Sequence, residues 1–266
     1  MEFLRFGLIV TGDGEAKFLP NLFRSIMAAA SCTFVVIRKS EQLSPITSAK
    51  RSIRMVGRGE IIPSIDEEQY GIPARRFLQQ QANSFVLIID DLEGARRVQV
   101  DAVFNRYRLA LDTMLNPCGL ANRASVHFLV NMLEAYYFAN CDAVNVVAEA
   151  EIIAQDHPND VEQIGHPKSQ LKRLWNKFHE IDHGEAIIAR LDVNHVLQHH
   201  DRCCWLRTLF RWCISQIPHA SIWDNELPQR FEQPHLLPSK PVVRDIRLWG
   251  HMRLHRTATD GFAALP

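Results

Sequence analysis

No stretch of the 266-residue sequence approaches the run of about 18 apolar residues that a membrane-spanning helix needs. The N-terminal MEFLRFGLIVTGDGE lacks the basic region, long apolar segment and small-residue cleavage site of a secretory signal, so no membrane association or export is expected. Six cysteines occur without a CxxC pair or a regular framework, which points to reduced thiols in a cytoplasmic protein. Neither charge is in surplus, since Lys+Arg and Asp+Glu are equal at 30 each. Total charge therefore argues neither for nor against nucleic acid, although a balanced chain can carry a local basic face. There is no internal repeat and no low-complexity tract.

What the chain does hold is material for a core, at 47% hydrophobic residues, and an alternation of apolar runs with helix-like periodicity. FLRFGLIV (3–10), TFVVIRK (33–39), SFVLIID (84–90) and ASVHFLV (124–130) read as strands. SIRMV (52–56) is a further candidate, third or edge. Between them, helices are predicted over about 16–30, with Phe18, Leu19, Leu22, Phe23, Ile26 and Met27 as one buried stripe, over 73–82 with Pro73 in its first turn, and over 95–115. MLEAYYFAN follows the last strand as helix.

Strand and helix in alternation predict an α/β layer with a mainly parallel sheet, whose chemistry collects at the carboxyl ends of the strands. The predicted core covers 1–140. From about 141 the pattern turns helical (166–178, 183–192 and 193–217), giving a helical extension over 141–217. An irregular, proline-containing arm over 218–266 carries a short element at 243–254.

Acidic residues fall where the sheet would place its chemistry. VTGDGE after the first strand carries Asp13 and Glu15; IIDDLEG after the central strand carries Asp90, Asp91 and Glu93; Glu134 opens the helix after the last. The first loop lacks the Lys-Ser/Thr of a P-loop and the third glycine of a dinucleotide fingerprint, and its acids would repel a phosphate. A metal loop and a plain strand-to-helix turn capped by Asp13 both remain open. Three carboxylates within four residues repel one another in a cleft, and a hard cation such as Mg²⁺ or Mn²⁺ relieves that repulsion. A solvated acidic turn is the alternative.

Taken together these motifs resemble the TOPRIM superfamily, the catalytic domain of topoisomerases, primases and overcoming-lysogenization-defect-type nucleases. Over roughly 5–215 the chain is similar to a branch of small bacterial TOPRIM-like proteins encoded beside ATPases in phage-defence or mobile loci. The counterparts are VTGDGEAKFLP, LIIDDLEGAR, NMLEAYYFAN and HPKSQLKRLW. Two departures stand out. Thr11 occupies the position of the superfamily's glutamate, and the spaced acidic pair is either absent or supplied by Asp91 and Glu93.

The resemblance implies a TOPRIM-like sheet and a Mg²⁺- or Mn²⁺-dependent nuclease acting with an ATPase partner. Asp90 and Asp91 would be the main ligands, Glu15 and Glu93 would complete the shell, and Glu134 is a further candidate. DNA is favoured over RNA as the nucleic acid, and self-association is left open.

Basic residues supply a phosphate-binding face: Lys168, Lys172, Arg173 and Lys177 in one helical segment, and Arg202, Arg207 and Arg211 around Trp205 and Trp212. A solvated helix face is the usual explanation of such clusters. His195, His199 and Cys203 would share one face of a helix, at a spacing zinc accepts; packed side chains are the preferred reading. The rival to a nuclease is a non-catalytic interaction module, decayed at Thr11, that regulates or anchors an ATPase or binds nucleic acid without cutting.

Overall fold

The structure, a computed structural model, describes residues 3–42, 56–57, 60–61, 63–198 and 201–217. The apolar runs become β1 (Leu4–Val10), β2 (Cys32–Lys39), β5 (Ser84–Leu92) and β6 (Ala124–Val130), joined in one sheet of order β2-β1-β5-β6. All three pairings are parallel, so each strand returns by a crossover and both faces need cover. Two-residue strands β3 (Val56–Gly57) and β4 (Glu60–Ile61) form a separate antiparallel pair. Of SIRMV only Val56 is among the described residues, and the predicted arm over 218–266 lies outside them.

The two sheet faces are read off strand alternation. Phe6, Leu8, Val10, Leu87 and Ile89 face one apolar cluster, shared with α1 (Asp13–Leu22) and α2 (Arg24–Ala29). Ile9, Val86, Ile88 and Leu92 face another, shared with α3 (Ile72–Gln80) and α4 (Val100–Leu115). The helix predicted over 16–30 is two helices. Pro20 lies inside α1 and has no N–H to donate, and the chain breaks at Phe23, whose N–H bonds Pro20 O at 3.2 Å. The predicted stripe is nonetheless buried as read, with Met27 packed at its edge.

From Cys141 onward the described α-helices are α5 (Cys141–Ala148), α6 (Pro167–Leu174), α7 (Glu180–Ile188), α8 (Val193–Gln198) and α9 (Cys204–Ser215). These helices do not stand apart. Leu171, Ile187, Leu206 and Trp212 join the same apolar cluster as β1, and Trp212 meets Phe85 of β5 edge-on at 6.2 Å.

Instead of one helix over 193–217 there are two, and the cause is a residue far away. Glu162, buried, accepts hydrogen bonds from the N–H groups of Trp205 (2.9 Å) and Leu206 (3.1 Å) and from Tyr136 Oη (3.0 Å). A carboxylate placed on the first turn of α9 satisfies donors that a helix start leaves open. His195 and Cys203 therefore do not share one helix. His195 Nε2 pairs with Asp156 at 2.5 Å, Cys203 Sγ donates to Val196 O at 3.2 Å, and His199 lies outside the described residues.

Replacing Glu162 with Ala should strand those donors and lower unfolding free energy by about 3 kcal/mol in a urea titration. Glu162→Gln, which keeps one acceptor oxygen, should lose less than half as much.

Candidate functional site

β5 does not stop before its acids; it continues through Asp90 and Asp91 to Leu92. Neighbouring residues of a strand point to opposite faces. Asp91 therefore follows Leu87 and Ile89 towards α1, while Asp90 follows Val86 and Ile88 towards α4. The expected pair of ligands from Asp90 and Asp91 is not formed, because the pleat separates them.

Asp90 is fully enclosed, at 0% exposure, and its oxygens are taken. Thr11 Oγ1 donates to Oδ1 at 2.6 Å and Tyr107 Oη to Oδ2 at 2.7 Å. Arg96 binds both oxygens, at 3.1 and 2.5 Å, and Gln42 Nε2 donates at 3.1 Å. A carboxylate has about four lone-pair sites, so little capacity is left for a cation. The β1–β5 register, which pairs Val10 with Ile89, brings Thr11 alongside Asp90. Thr11 is thus a buried donor to Asp90, and a carboxylate in its place would meet a like charge.

The opposite face gathers carboxylates without that compensation. Glu15, Asp91, Glu134 and Glu180 line one cavity of about 80 Å³. Glu15 sits in the first turn of α1, whose N-cap is Gly12 rather than Asp13. Gly12 has an ordinary φ of −109°; what glycine supplies is space, since a Cβ there would lie 1.7 Å from Glu15 Oε2 and would displace that carboxyl. The Glu15 and Asp91 carboxyls lie close enough for each to perturb the other's ionisation, and Asp91 Oδ1 is buried with no hydrogen-bond partner.

Burial, then the charge of Glu15, pushes Asp91 well above the usual carboxylate range. Glu15 is also raised, first by burial. Glu134 is pushed up to about 7 by burial and then by Glu180 and Glu15, with Lys168 opposing.

Glu180 escaped the sequence reading. It opens α7 in FHEIDHGE, where an acid in a first helical turn is ordinary, so no local signal marks it. Its partner is Lys168 of α6, an ion pair at the cavity's edge. Glu93 lies just past β5, exposed, where it attracts Lys168.

Carboxylate oxygens are the donors that Mg²⁺ and Mn²⁺ take, and the unpartnered Asp91 oxygen suits such an ion. The set is not a finished cage: among the described residues no three Asp, Glu, His or Cys side chains are arranged to hold one metal ion.

The basic candidates divide likewise. Lys172, Arg173 and Lys177 are exposed, on or just after α6, and Lys168 is half-buried. Arg207 is buried at 9% exposure, and Trp212 is enclosed in the core. α9 is docked between other elements, so Arg207 does not belong to an open phosphate-binding face.

Two outcomes follow from this geometry. Thr11→Val, which removes one donor to Asp90, should cost about 1 kcal/mol in thermal or urea unfolding. Thr11→Glu should cost about 3 kcal/mol or more, because it buries an uncompensated charge beside Asp90.

Glu134 supplies a pH signature. Its folded pKa is raised from 4.5 to about 7, so its contribution to stability is present at low pH and is lost as pH rises through about 7. The stability advantage of Glu134→Gln over the native chain should be near zero at acid pH. It should reach roughly 3 kcal/mol above neutrality, as read from melts across pH.

Among solved structures, the chain is similar to the C-terminal region of the Burkholderia pseudomallei OLD protein, at 12% identity, covering 73% of this chain and 91% of that one with a TM-score of 0.38. It is also similar to the C-terminal region of the Xanthomonas campestris pv. campestris OLD protein, at 13% identity, 74% and 92% coverage and a TM-score of 0.36. Both likenesses are distant. No curated protein matches the chain. A family model does match, over residues 10–212, a span that holds Glu15, Asp91, Glu134, Lys168 and Glu180. The chain belongs to the family described as the domain of unknown function DUF4276.

Proposed function

We propose that the cavity between Glu15, Asp91, Glu134 and Glu180 is a divalent-cation site of a nuclease or nuclease-like effector that hydrolyses phosphodiesters. The observation that carries this reading is the buried, unpartnered Asp91 Oδ1 in a cavity lined by carboxylates, with Lys168 paired to Glu180 at its rim. Such a grouping at the carboxyl ends of parallel strands is costly unless something positive enters it.

When bound there, Mg²⁺ or Mn²⁺ neutralises a scissile phosphate and lowers the pKa of a water. Asp91 and Glu15 are the residues that hold it, and Glu93 lies outside that inner set. Glu134, with its pKa brought to about 7, exchanges a proton at its carboxyl near neutral pH. Lys172, Arg173 and Lys177 offer exposed charge for a nucleic-acid backbone. An ATPase partner, a role in anti-phage defence and the preference for DNA rest on the motif resemblance alone.

One observation favours a second reading. Thr11 and Asp90 stand at positions where the resemblance puts metal-binding acids, and both are locked into a buried hydrogen-bond network. On that reading the chain is an interaction module that anchors or regulates an ATPase, or binds nucleic acid without cutting.

Melting temperature and cleavage of DNA and RNA should be measured with and without Mn²⁺ for the native chain and Asp91→Asn. The nuclease reading expects Mn²⁺ to raise the native melting temperature by a few degrees and to support cleavage, with both effects lost in the variant. A shift without cleavage, even with the ATPase present, selects the interaction module. No shift in the native protein removes the cation site.

A further inference from the structure

At about 80 Å³ the carboxylate cavity is far smaller than the roughly 300 Å³ of a pocket that encloses a drug-sized molecule. A substrate phosphate drawn by a cation inside must therefore rest at the mouth. The mouth is acidic too, with Asp13 and Glu180 among the lining residues, so a phosphate there needs positive charge at the rim. Lys168 stands on one side, paired with Glu180. A strand irregularity supplies a second ammonium.

β2 pairs with β1 in register from Cys32 to Val36 and then skips one residue, so that Arg38 and Lys39 lie opposite Ile9 and Val10. Ile37 is the extra residue of a β-bulge. Bulges are rare in parallel pairs, and they re-aim side chains beside functional sites. Strict alternation would send Lys39 with Val35 and Ile37 to the face that holds α3 and α4. After the bulge it shares the face of Val10, which is that of α1 and Asp91. There its Nζ pairs with Asp13, the first residue of α1.

The backbone at this point is fixed, because the buried Ser40 donates its N–H to Val10 O at 2.8 Å. The ion pair is open, with side-chain exposures of 45% for Lys39 and 78% for Asp13. Water screens such a pair, and a phosphate oxygen held at the mouth by a cation can replace Asp13 as the lysine's partner. Lys17, one turn further along α1, has no such station. It pairs with Glu185 at 3.7 Å, and neither residue lines the cavity.

We propose that Lys39, turned by the bulge onto the cavity face, binds a backbone phosphate of a nucleic acid at the mouth, with Asp13 holding the lysine there until the phosphate arrives. The assignment rests on the nuclease reading of the cavity and names a residue that receives its substrate.

Binding of one labelled oligonucleotide sequence, as DNA and as RNA, is measured by anisotropy across a salt range for the native chain, Lys39→Met, Asp13→Asn and Lys17→Met. Each titration is run in Ca²⁺, which takes the same oxygen ligands, and in EDTA. Lys39→Met should weaken binding by about three- to tenfold and lower the salt slope by about one phosphate contact. Asp13→Asn, which frees the lysine, should bind as tightly as the native chain or more tightly. Lys17→Met removes the same charge one turn away and should stay within about twofold of native. The Mn²⁺ shift in melting temperature should survive in Lys39→Met.

Native affinity in Lys39→Met overturns the proposal, and so does equal weakening by Lys17→Met, the mark of diffuse charge. Asp13→Asn impaired as much as Lys39→Met also overturns it, since the pair is then a structural contact. A native chain that binds neither oligonucleotide has the same consequence. If the native chain shows no Mn²⁺ shift, the cation reading fails, and the comparison in EDTA still decides Lys39.

Discussion

Side-chain alternation along β5 is the constraint on which the rest of the site depends. Two adjacent aspartates in a strand buried on both faces must take opposite sides of the sheet, and at 90 and 91 neither side is water. Each face therefore has to answer for one carboxylate separately. Towards α4 the answer is a complete shell of donors around Asp90, including the Arg96 guanidinium. Towards α1 no such shell exists, and burial beside Glu15 pushes Asp91 well above the usual carboxylate range. An acid pair that looks like one motif in the sequence is two environments in the fold.

The two environments are mechanically linked. Arg96 Nη1 binds the Asp90 carboxylate and also Asp91 O, at 2.9 Å, and Gln42 Nε2 spans the same two groups. The shell on one face thus fixes the peptide that carries the acid of the other. A neutralised, fully satisfied carboxylate stiffens its surroundings, whereas an under-satisfied one remains chemically available. Asp90 plays the first part and Asp91 the second.

Much of the scaffold was legible because it is written in local pattern. The runs at 84–90 and 124–130 are continuous and apolar since both their faces are covered, and the stripe from Phe18 to Ile26 is helical in period. The site was half legible. Glu15, Asp91 and Glu134 follow strand ends, where a parallel sheet concentrates its chemistry, and all three line the cavity. What misled was the strand's length: with β5 ending at residue 90 Asp91 falls in a loop, where it is free to turn towards Asp90, and two more residues of strand forbid it. Glu180 and the burial of Arg207 were invisible for a different reason. Both depend on where α7 and α9 dock, and a helix's own sequence does not say what will cover its second face.

Thr11, Gly12 and Glu15 are best understood as one choice rather than three. The β1–β5 register puts position 11 beside Asp90, where the charge of Arg96 is already matched. A second carboxylate there would be buried without a partner, and a hydroxyl that donates to Asp90 suits the position. The loop's acid must then come from elsewhere, and the first turn of α1 is the nearest place that faces Asp91. Burial there raises the pKa of Glu15, and its own backbone N–H and the helix's N-terminal end offset part of that penalty. Reaching Asp91 from that turn lays the carboxylate over residue 12, where a Cβ would occupy its place. With threonine at 11 the loop's acid sits at 15, and glycine at 12 leaves the Glu15 carboxyl its place against Asp91.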